Sequence, residues 1–242
     1  MDETVLLTRN EHGFLKQSAL QLPDSIKQKR YRQEFRTRFC EGLLSRRVLI
    51  AEGATETACF PVVCRKLAEM KPGTYSSLEA LGICTIDAGG DGSIADLAKL
   101  YRELGKRVFA ICDKQTDAKK ALIEAQVEKL YMHEEHGFED MVMKNTTEAA
   151  LTRFAASFTW PPHLVTKYPS PAANVKAALS EYFAGKKAEW GLADFLAQCA
   201  EDEIPQWLRD SCTSIKGLCE PTPAVPTPPA PPAPHQSTVP SA

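Results

Sequence analysis

Six acidic residues stand at three places along the chain, each at the end of a short apolar run or just after it. They are Glu52, Glu56, Asp87, Asp91, Asp113 and Asp117. Like charges held within a few ångströms repel each other unless a cation neutralises them. Carboxylate oxygens are also the ligands that hard divalent ions prefer. If the three places meet in the fold, their chemistry is that of a Mg²⁺ or Mn²⁺ site.

Each of these carboxylates, taken alone, also has an ordinary structural explanation. Polar and acidic side chains at the start of a helix cap its backbone N–H groups and interact favourably with the helix dipole. Thr55 and Asp91 stand where such caps occur. The metal-site hypothesis therefore depends on the whole set converging in space.

The elements that would position these residues follow an alternating pattern. The apolar runs predict strands at 47–52, 81–87 and 107–113, and the segments after them predict helices at 55–70, 93–104 and 117–131. This alternation is typical of an α/β fold with a parallel sheet and crossover helices. The carboxyl ends of parallel strands share one rim, where ligands bind. We therefore expect Glu52 and Asp113 to be neighbours if their strands are adjacent.

The segments outside this α/β region have different compositions. Residues 24–47 are basic, with aromatic and leucine side chains at helical spacing, and predict an amphipathic helix whose basic face meets water, a partner or a phosphate backbone. The segment after residue 147 is alanine-rich and predicts a helical subdomain, and the proline-rich end predicts a disordered tail. The expected divisions are 1–45, 46–146, 147–219 and 220–242.

Composition excludes several classes of protein. The 242 residues include 29 Lys and Arg against 31 Asp and Glu, so any nucleic-acid binding must rest on a local basic surface. No apolar run approaches the roughly 18 residues that cross a bilayer, and the first residues lack signal-peptide features. We expect a cytoplasmic protein without membrane contact. The eight cysteines form no CxxC pair and are expected to be mostly small buried side chains.

Two familiar catalytic motifs are missing from the sequence. There is no GxxxxGK[ST] phosphate-binding loop, so the chain alone is not an ATPase of that kind. The stretch HEEH at 133–136 fails the HExxH zinc pattern because its histidines are three residues apart, and we expect surface polar residues there.

Three pieces of the sequence together resemble a known module. The run VLIAEGATE, the GGDG turn after the second strand, and Asp113 at a strand end resemble TOPRIM, the metal-binding fold of type II topoisomerases, primases and several nucleases. The resemblance extends to the OLD (overcoming lysogenization defect) family of ATP-dependent endonucleases. In that family an ABC-type ATPase head precedes a C-terminal TOPRIM nuclease, and the junction resembles residues 1–51. The likeness covers most of residues 1–150.

The resemblance implies roles for the residues that match. Glu52 would bind metal and act as general base or acid, and Lys144 would contact the scissile phosphate. The implied metal ligands are Glu52, Glu56, Asp113, Asp117 and Glu139. The chain departs from the family's DxD motif at Asp113-Lys114-Gln115, where an amide replaces the second carboxylate. Asp117 or Glu139 would have to supply the missing charge.

The glycines of the GGDG turn suggest a further role. Backbone N–H groups of successive glycines can form an anion-binding concavity that needs no side chain. We therefore expect Gly89, Gly90 and Gly92 to bind a phosphate.

Together these expectations describe a Mg²⁺- or Mn²⁺-dependent DNA endonuclease module that uses two ions. Its ATPase part would be absent from this chain and supplied by another domain or subunit, and a homodimer is possible. The alternative is a catalytically weakened TOPRIM module that acts in nucleic-acid binding or assembly, as Gln115 suggests.

Overall fold

A computed structural model describes residues 5–9, 14–19, 39–185 and 191–220 of the chain. Most of the expected basic helix and the proline-rich tail from residue 221 onward lie outside the described residues. The described N-terminal part contains two strands, β1 (Val5–Arg9) and β2 (Leu15–Ala19), which pair antiparallel. No sequence pattern predicted this pair of strands.

The centre of the fold is a parallel sheet of four strands in the order β4-β3-β5-β6. The strands are β3 (Arg47–Ala51), β4 (Ile83–Asp87), β5 (Arg107–Cys112) and β6 (Lys129–Met132). At the carboxyl end, Ala51 of β3 is in register with Asp87 of β4 and with Ile111 of β5. Because β3 lies between β4 and β5, residues that follow all three strands meet at one rim.

Ten α-helices surround the sheet in the described part of the chain. They are α1 (Cys40–Leu44), α2 (Ala54–Met70), α3 (Ile94–Glu103), α4 (Asp117–Glu124), α5 (Phe138–Asn145), α6 (Glu148–Ala155), α7 (Pro162–Lys167), α8 (Val175–Gly185), α9 (Gly191–Gln198) and α10 (Gln206–Cys219). Within the described residues, no helix has both the length and the apolar character that a bilayer crossing requires.

The helix predicted at 117–131 is wrong beyond Glu124. Helix α4 stops there, and residues 129–132 instead form strand β6. The N–H of Glu128 donates to the carbonyl of Val108 at 2.7 Å, and Phe109 pairs with Lys129. The exposed edge of β5 supplies hydrogen-bond partners that no local helical pattern reveals, so tertiary pairing overrides the local preference.

The described end of the expected basic helix also differs from the prediction. Helix α1 stops at Leu44, which is 81% exposed, whereas Phe39 and Leu43 are buried. Arg47 lies in β3, and its guanidinium donates to the carbonyls of Leu81 at 2.5 Å and Cys219 at 3.1 Å. Arg47 therefore joins the sheet to the end of α10 rather than presenting a basic face.

Each face of the sheet has its own apolar core. Alternate side chains such as Val48 and Ile50 pack with α1 and α3, whereas Leu49 and Phe109 pack on the other face with α2. The core on the face of Leu49 and Phe109 extends into the C-terminal helices. There the aromatic rings of Phe154, Phe183 and Phe195 pack against one another. The helices after residue 147 therefore share one apolar core with the sheet.

Candidate metal centre

Glu52 and Asp113 meet at the carboxyl ends of adjacent strands, as expected. The Glu52 N–H donates to the carbonyl of Ile111 at 3.0 Å, which continues the β3–β5 pairing past the end of the strand. The Asp113 N–H in turn donates to Oε2 of Glu52 at 3.1 Å. Two residues 61 positions apart in sequence are thus in direct contact at the rim.

Glu56 joins this pair from the first turn of α2. Gly53 is the N-cap of α2, and its N–H donates to Oε2 of Glu56 at 3.2 Å, so the side chain folds back towards the strand end. Glu56 is only 4% exposed. Burial raises its pKa to about 7, and the charges of Asp113, Glu52 and Glu139 add to this rise. These four carboxylates therefore act on one another electrostatically.

Glu139 and Asp91 complete the acidic rim. Thr55, beside Glu56, donates its hydroxyl to Oε1 of Glu139 at 3.0 Å, which places α5 next to the start of α2. Burial raises the pKa of Glu52, the hydrogen bond from Asp113 lowers it, and the negative charges of Asp113 and Asp91 raise it further. Asp91 was noted in the sequence as a cap but was not placed among the metal ligands.

The donor types and the charges of this cluster fit a hard cation. The acidic groups offer only carboxylate oxygens, and burial, with repulsion between neighbouring carboxylates adding to it, raises the pKa of both Glu52 and Glu56. Over the described ranges, however, no three His, Cys, Asp or Glu side chains are gathered closely enough to hold one ion. Metal binding would therefore require side-chain rotations that bring these oxygens together.

Two of the implied site residues make their described interactions outside this cluster. Asp117 occupies the first turn of α4, after the N-cap Thr116, where its charge interacts favourably with the helix dipole. Lys144 is on α5, and its ammonium is 2.7 Å from Oε1 of Glu135. Neither residue contacts Glu52 or Glu56 through any described hydrogen bond or ion pair.

Three lysines surround the rim, and each is paired with an acidic side chain. The pairs are Lys114 with Glu134, Lys119 with Asp91, and Lys144 with Glu135. The lysine side chains are 46%, 49% and 66% exposed respectively. Exposed ion pairs contribute little to stability, so these ammonium groups can exchange partners with a phosphate backbone at low cost.

The glycine turn is built against the site but its N–H groups already have acceptors. Gly89 and Gly90 have φ values of 70° and 126°, which side-chain-bearing residues rarely adopt. The Gly89 N–H donates to Oδ1 of Asp87 at 2.7 Å, and the Gly90 N–H donates to the Glu52 carbonyl at 2.8 Å. The Gly92 N–H interacts with the Asp91 carboxylate. Phosphate binding by this turn would require these bonds to be exchanged.

Gln115, at the second acidic position of the DxD-like stretch, turns its amide nitrogen towards Glu52. Its Nε2 donates to Oε2 of Glu52 at 3.1 Å and to the Asp113 carbonyl at 3.3 Å. The amide therefore holds Glu52 in place and adds no negative charge to the rim.

Replacing Gln115 by Asp should restore the missing charge and tighten Mn²⁺ binding by about tenfold, since each added carboxylate ligand strengthens a hard-cation site. The measurement is calorimetric titration with Mn²⁺. Gln115→Asn is the matched control, because it has the length of Asp without the charge, and it should bind no more tightly than the wild type. Weaker binding by Gln115→Asp than by Gln115→Asn would show that the amide of Gln115, and not added charge, serves the site.

His133 is a neighbour that sequence reasoning missed. Its Nε2 lies 2.9 Å from Oδ1 of Asp113. The sequence presented this histidine only within HEEH, as part of a failed zinc motif, and we expected it on the surface. That expectation is wrong, because the side chain is 3% exposed.

Comparison with known proteins finds one family model and several solved structures that resemble parts of this chain. Residues 43–114 match the family model "Overcoming lysogenization defect protein-like, TOPRIM domain". The fold is similar to that of the C-terminal region of the Burkholderia pseudomallei OLD protein, at 15% identity and a TM-score of 0.51, covering 73% of this chain and 99% of that chain. The C-terminal region of the Xanthomonas campestris pv. campestris OLD protein aligns at 16% identity and a TM-score of 0.48, covering 72% and 96%. Among curated proteins no relative matches the sequence.

These matches confirm the α/β fold of TOPRIM type with flanking helices. The matched residues include Glu52, Glu56, Asp91 and Asp113, which are the carboxylates that cluster at the strand ends. Residues 43–114 are therefore similar to the OLD-like TOPRIM domain, and the fold around them is of the same type.

Proposed function

We propose that this chain is the metal-dependent endonuclease module of an OLD-type nuclease and that it hydrolyses DNA phosphodiester bonds with Mg²⁺ or Mn²⁺. One observation carries the proposal: Glu52, Glu56 and Asp113, from two strand ends and one helix, lie close together, and the charge of Asp113 adds to the burial that raises the pKa of both glutamates. Such repulsion is unfavourable without a ligand, and a divalent cation would relieve it.

Glu52, Glu56 and Asp113 would hold the ions, with Glu139 and Asp91 completing the negative surface. A bound Mg²⁺ or Mn²⁺ would supply positive charge to the attacked phosphate and lower the pKa of a coordinated water. Glu52 would accept a proton from the attacking water on a carboxylate oxygen, while the Gln115 amide fixes the orientation of Glu52 through its 3.1 Å hydrogen bond.

The lysines at the rim would guide the nucleic acid. The net charge of the chain is −2, so attraction to DNA must come from a local basic surface. Lys114, Lys119 and Lys144 lie around the carboxylates in exposed ion pairs. Each can turn from its acidic partner to a backbone phosphate, and Lys144 remains our candidate for the phosphate that is cleaved.

We further propose that the chain works with an ATPase part supplied by another domain or subunit, in the cytoplasm, and a homodimer fits the same proposal. These partners follow from the domain order of OLD-family nucleases. They can be tested by co-purification and by measuring the mass of the assembly in solution.

A second candidate function is a weakened TOPRIM module that binds nucleic acid or assists assembly. Its support is specific: Gln115 occupies the second acidic position, and its amide donates to Glu52 instead of ligating an ion. This candidate predicts DNA binding with no hydrolysis.

Plasmid nicking distinguishes the two functions. Purified protein is incubated with supercoiled plasmid and Mg²⁺ or Mn²⁺, with EDTA as control and with and without a co-purified ATPase partner. The endonuclease proposal predicts nicked or linear product that depends on the divalent ion. Retention of DNA on a filter without any cleavage, with the partner present, would favour the binding module.

A further inference from the structure

His133 is a buried histidine beside an implied metal ligand. It follows directly after β6, which places it at the same rim as the residue after β5. Its ring is enclosed by Phe138 and Trp207, both edge-on, with centroid distances of 6.1 and 5.1 Å. A polar ring held in an aromatic enclosure needs a defined partner, because an unpaired buried polar group is unfavourable.

The hydrogen bonds of the ring assign its proton. The backbone N–H of Glu135 donates to Nδ1 of His133 at 3.3 Å, so Nδ1 is an acceptor and carries no hydrogen. In the neutral ring the single proton then lies on Nε2, as inferred from this network. Nε2 is the nitrogen that faces Asp113, at 2.9 Å from Oδ1.

Nε2 of His133 and Oδ1 of Asp113 are each other's nearest available hydrogen-bonding partner in the described residues. Both Nε2 of His133 and Oδ1 of Asp113 are buried, and neither has an aligned hydrogen-bond partner elsewhere in the described residues. Their contact is short but lies off the ideal hydrogen-bond direction. The Asp113 side chain as a whole is 19% exposed, although Oδ1 is buried. The exposed surface therefore belongs to the other atoms of the Asp113 side chain.

We propose that His133 is a positioning residue of the metal centre: its Nε2–H holds Oδ1 of Asp113, so that the remaining carboxylate oxygen is presented to the divalent ion. The inference rests on the proposed function, because it takes Asp113 as a ligand. Groups that orient a ligating carboxylate or histidine in this way typically change metal affinity by 10- to 100-fold when they are removed.

Two substitutions separate this role from simple packing. His133→Phe keeps a ring against Phe138 and Trp207 but removes the donor. His133→Gln loses the ring but carries an amide N–H that can reach Asp113. His136→Gln is the matched control, because it alters the exposed histidine of the same HEEH stretch.

The experiment is calorimetric titration of the full chain with Mn²⁺, together with the thermal midpoint of each protein in EDTA. We expect His133→Phe to bind Mn²⁺ about tenfold more weakly at a similar thermal midpoint, and His133→Gln to return to within about threefold of the wild type. His136→Gln should bind as the wild type does. If His133→Phe does not fold, His133→Asn replaces it, because its shorter amide cannot reach Asp113 and should show the same loss relative to His133→Gln.

The outcomes separate this inference from the proposed function. Wild-type protein that binds no Mn²⁺ would overturn the metal site itself, and the role of His133 with it. Wild-type protein that binds Mn²⁺, with His133→Phe binding equally well, would overturn only the positioning role and leave the proposed function standing.

Discussion

Replacing Glu52 by Gln should lower the rate of plasmid nicking by about 10³-fold or more. The substitution removes a charge from the metal centre and a proton acceptor from the reaction, and general-base catalysis alone contributes about 10²- to 10⁴-fold. Oε2 of Glu52 also accepts hydrogen bonds from the Asp113 N–H and from the Gln115 amide. In Glu52→Gln one carboxylate oxygen is replaced by an NH2 group, which cannot accept these hydrogen bonds. The measurement is the initial rate of nicking at saturating Mn²⁺, with the thermal midpoint as a check on folding.

Glu124→Gln serves as the control for this loss. Glu124 is an exposed carboxylate at the end of α4, 3.9 Å from the ammonium of Lys120, and it lies away from the rim. We expect its nicking rate to match the wild type. If Glu52→Gln kept a tenth or more of the wild-type rate, Glu52 would have no direct part in hydrolysis.

Replacing Glu56 by Gln should stabilise the metal-free protein at pH 8 by about 3 kcal/mol, even though it should impair nicking. Burial raises the pKa of Glu56 from 4.5 to about 7. Between these two values the folded state holds a proton that the unfolded state has released. Its stability therefore falls as pH rises from about 4.5 to about 7, at roughly 1.4 kcal/mol for each unit of pKa difference. Gln does not ionise and avoids this loss.

Urea denaturation in EDTA at pH 4 and pH 8 tests this prediction. The two proteins should have similar free energies of unfolding at pH 4, where the Glu56 carboxyl is protonated in both states, and Glu56→Gln should be the more stable at pH 8. Added Mn²⁺ should reduce the difference in free energy of unfolding between Glu56→Gln and the wild type at pH 8. The reason is that Mn²⁺ would bind the folded wild type through Glu56 and stabilise it. A difference that does not grow with pH would mean that Glu56 titrates normally in the folded protein.

The sequence was most informative where local pattern and topology agree. Short apolar runs ending in acidic residues predicted three of the four parallel strands, and the strand-end rule brought Glu52 next to Asp113. Strand β6 was missed because its four residues follow a helical segment without a turn signal and are fixed by pairing with β5. Edge strands of this kind depend on a partner that is distant in sequence.

The site features that the sequence did not predict were missed for the same reason: they depend on partners that are distant in sequence. His133 became a neighbour of Asp113 only because β6 pairs with β5, so the error in the 117–131 helix also hid the histidine. The orientation of Gln115 depends on which of its two amide ends finds a partner, and Glu52 provides an acceptor. The alanine-rich pattern after residue 147 predicted helices but gave no sign that Phe154 and Phe195 share a core with the sheet.

Anomalous diffraction from crystals of the protein grown with Mn²⁺ tests most directly whether carboxylates from separate strand ends share an ion. We predict at least one strong manganese peak bonded to carboxylate oxygens of both Glu52 and Asp113, with Glu56 or Glu139 nearby, and its disappearance in Asp113→Asn crystals. Manganese found only at other places on the protein, with these side chains bound to no ion at millimolar Mn²⁺, would contradict the account.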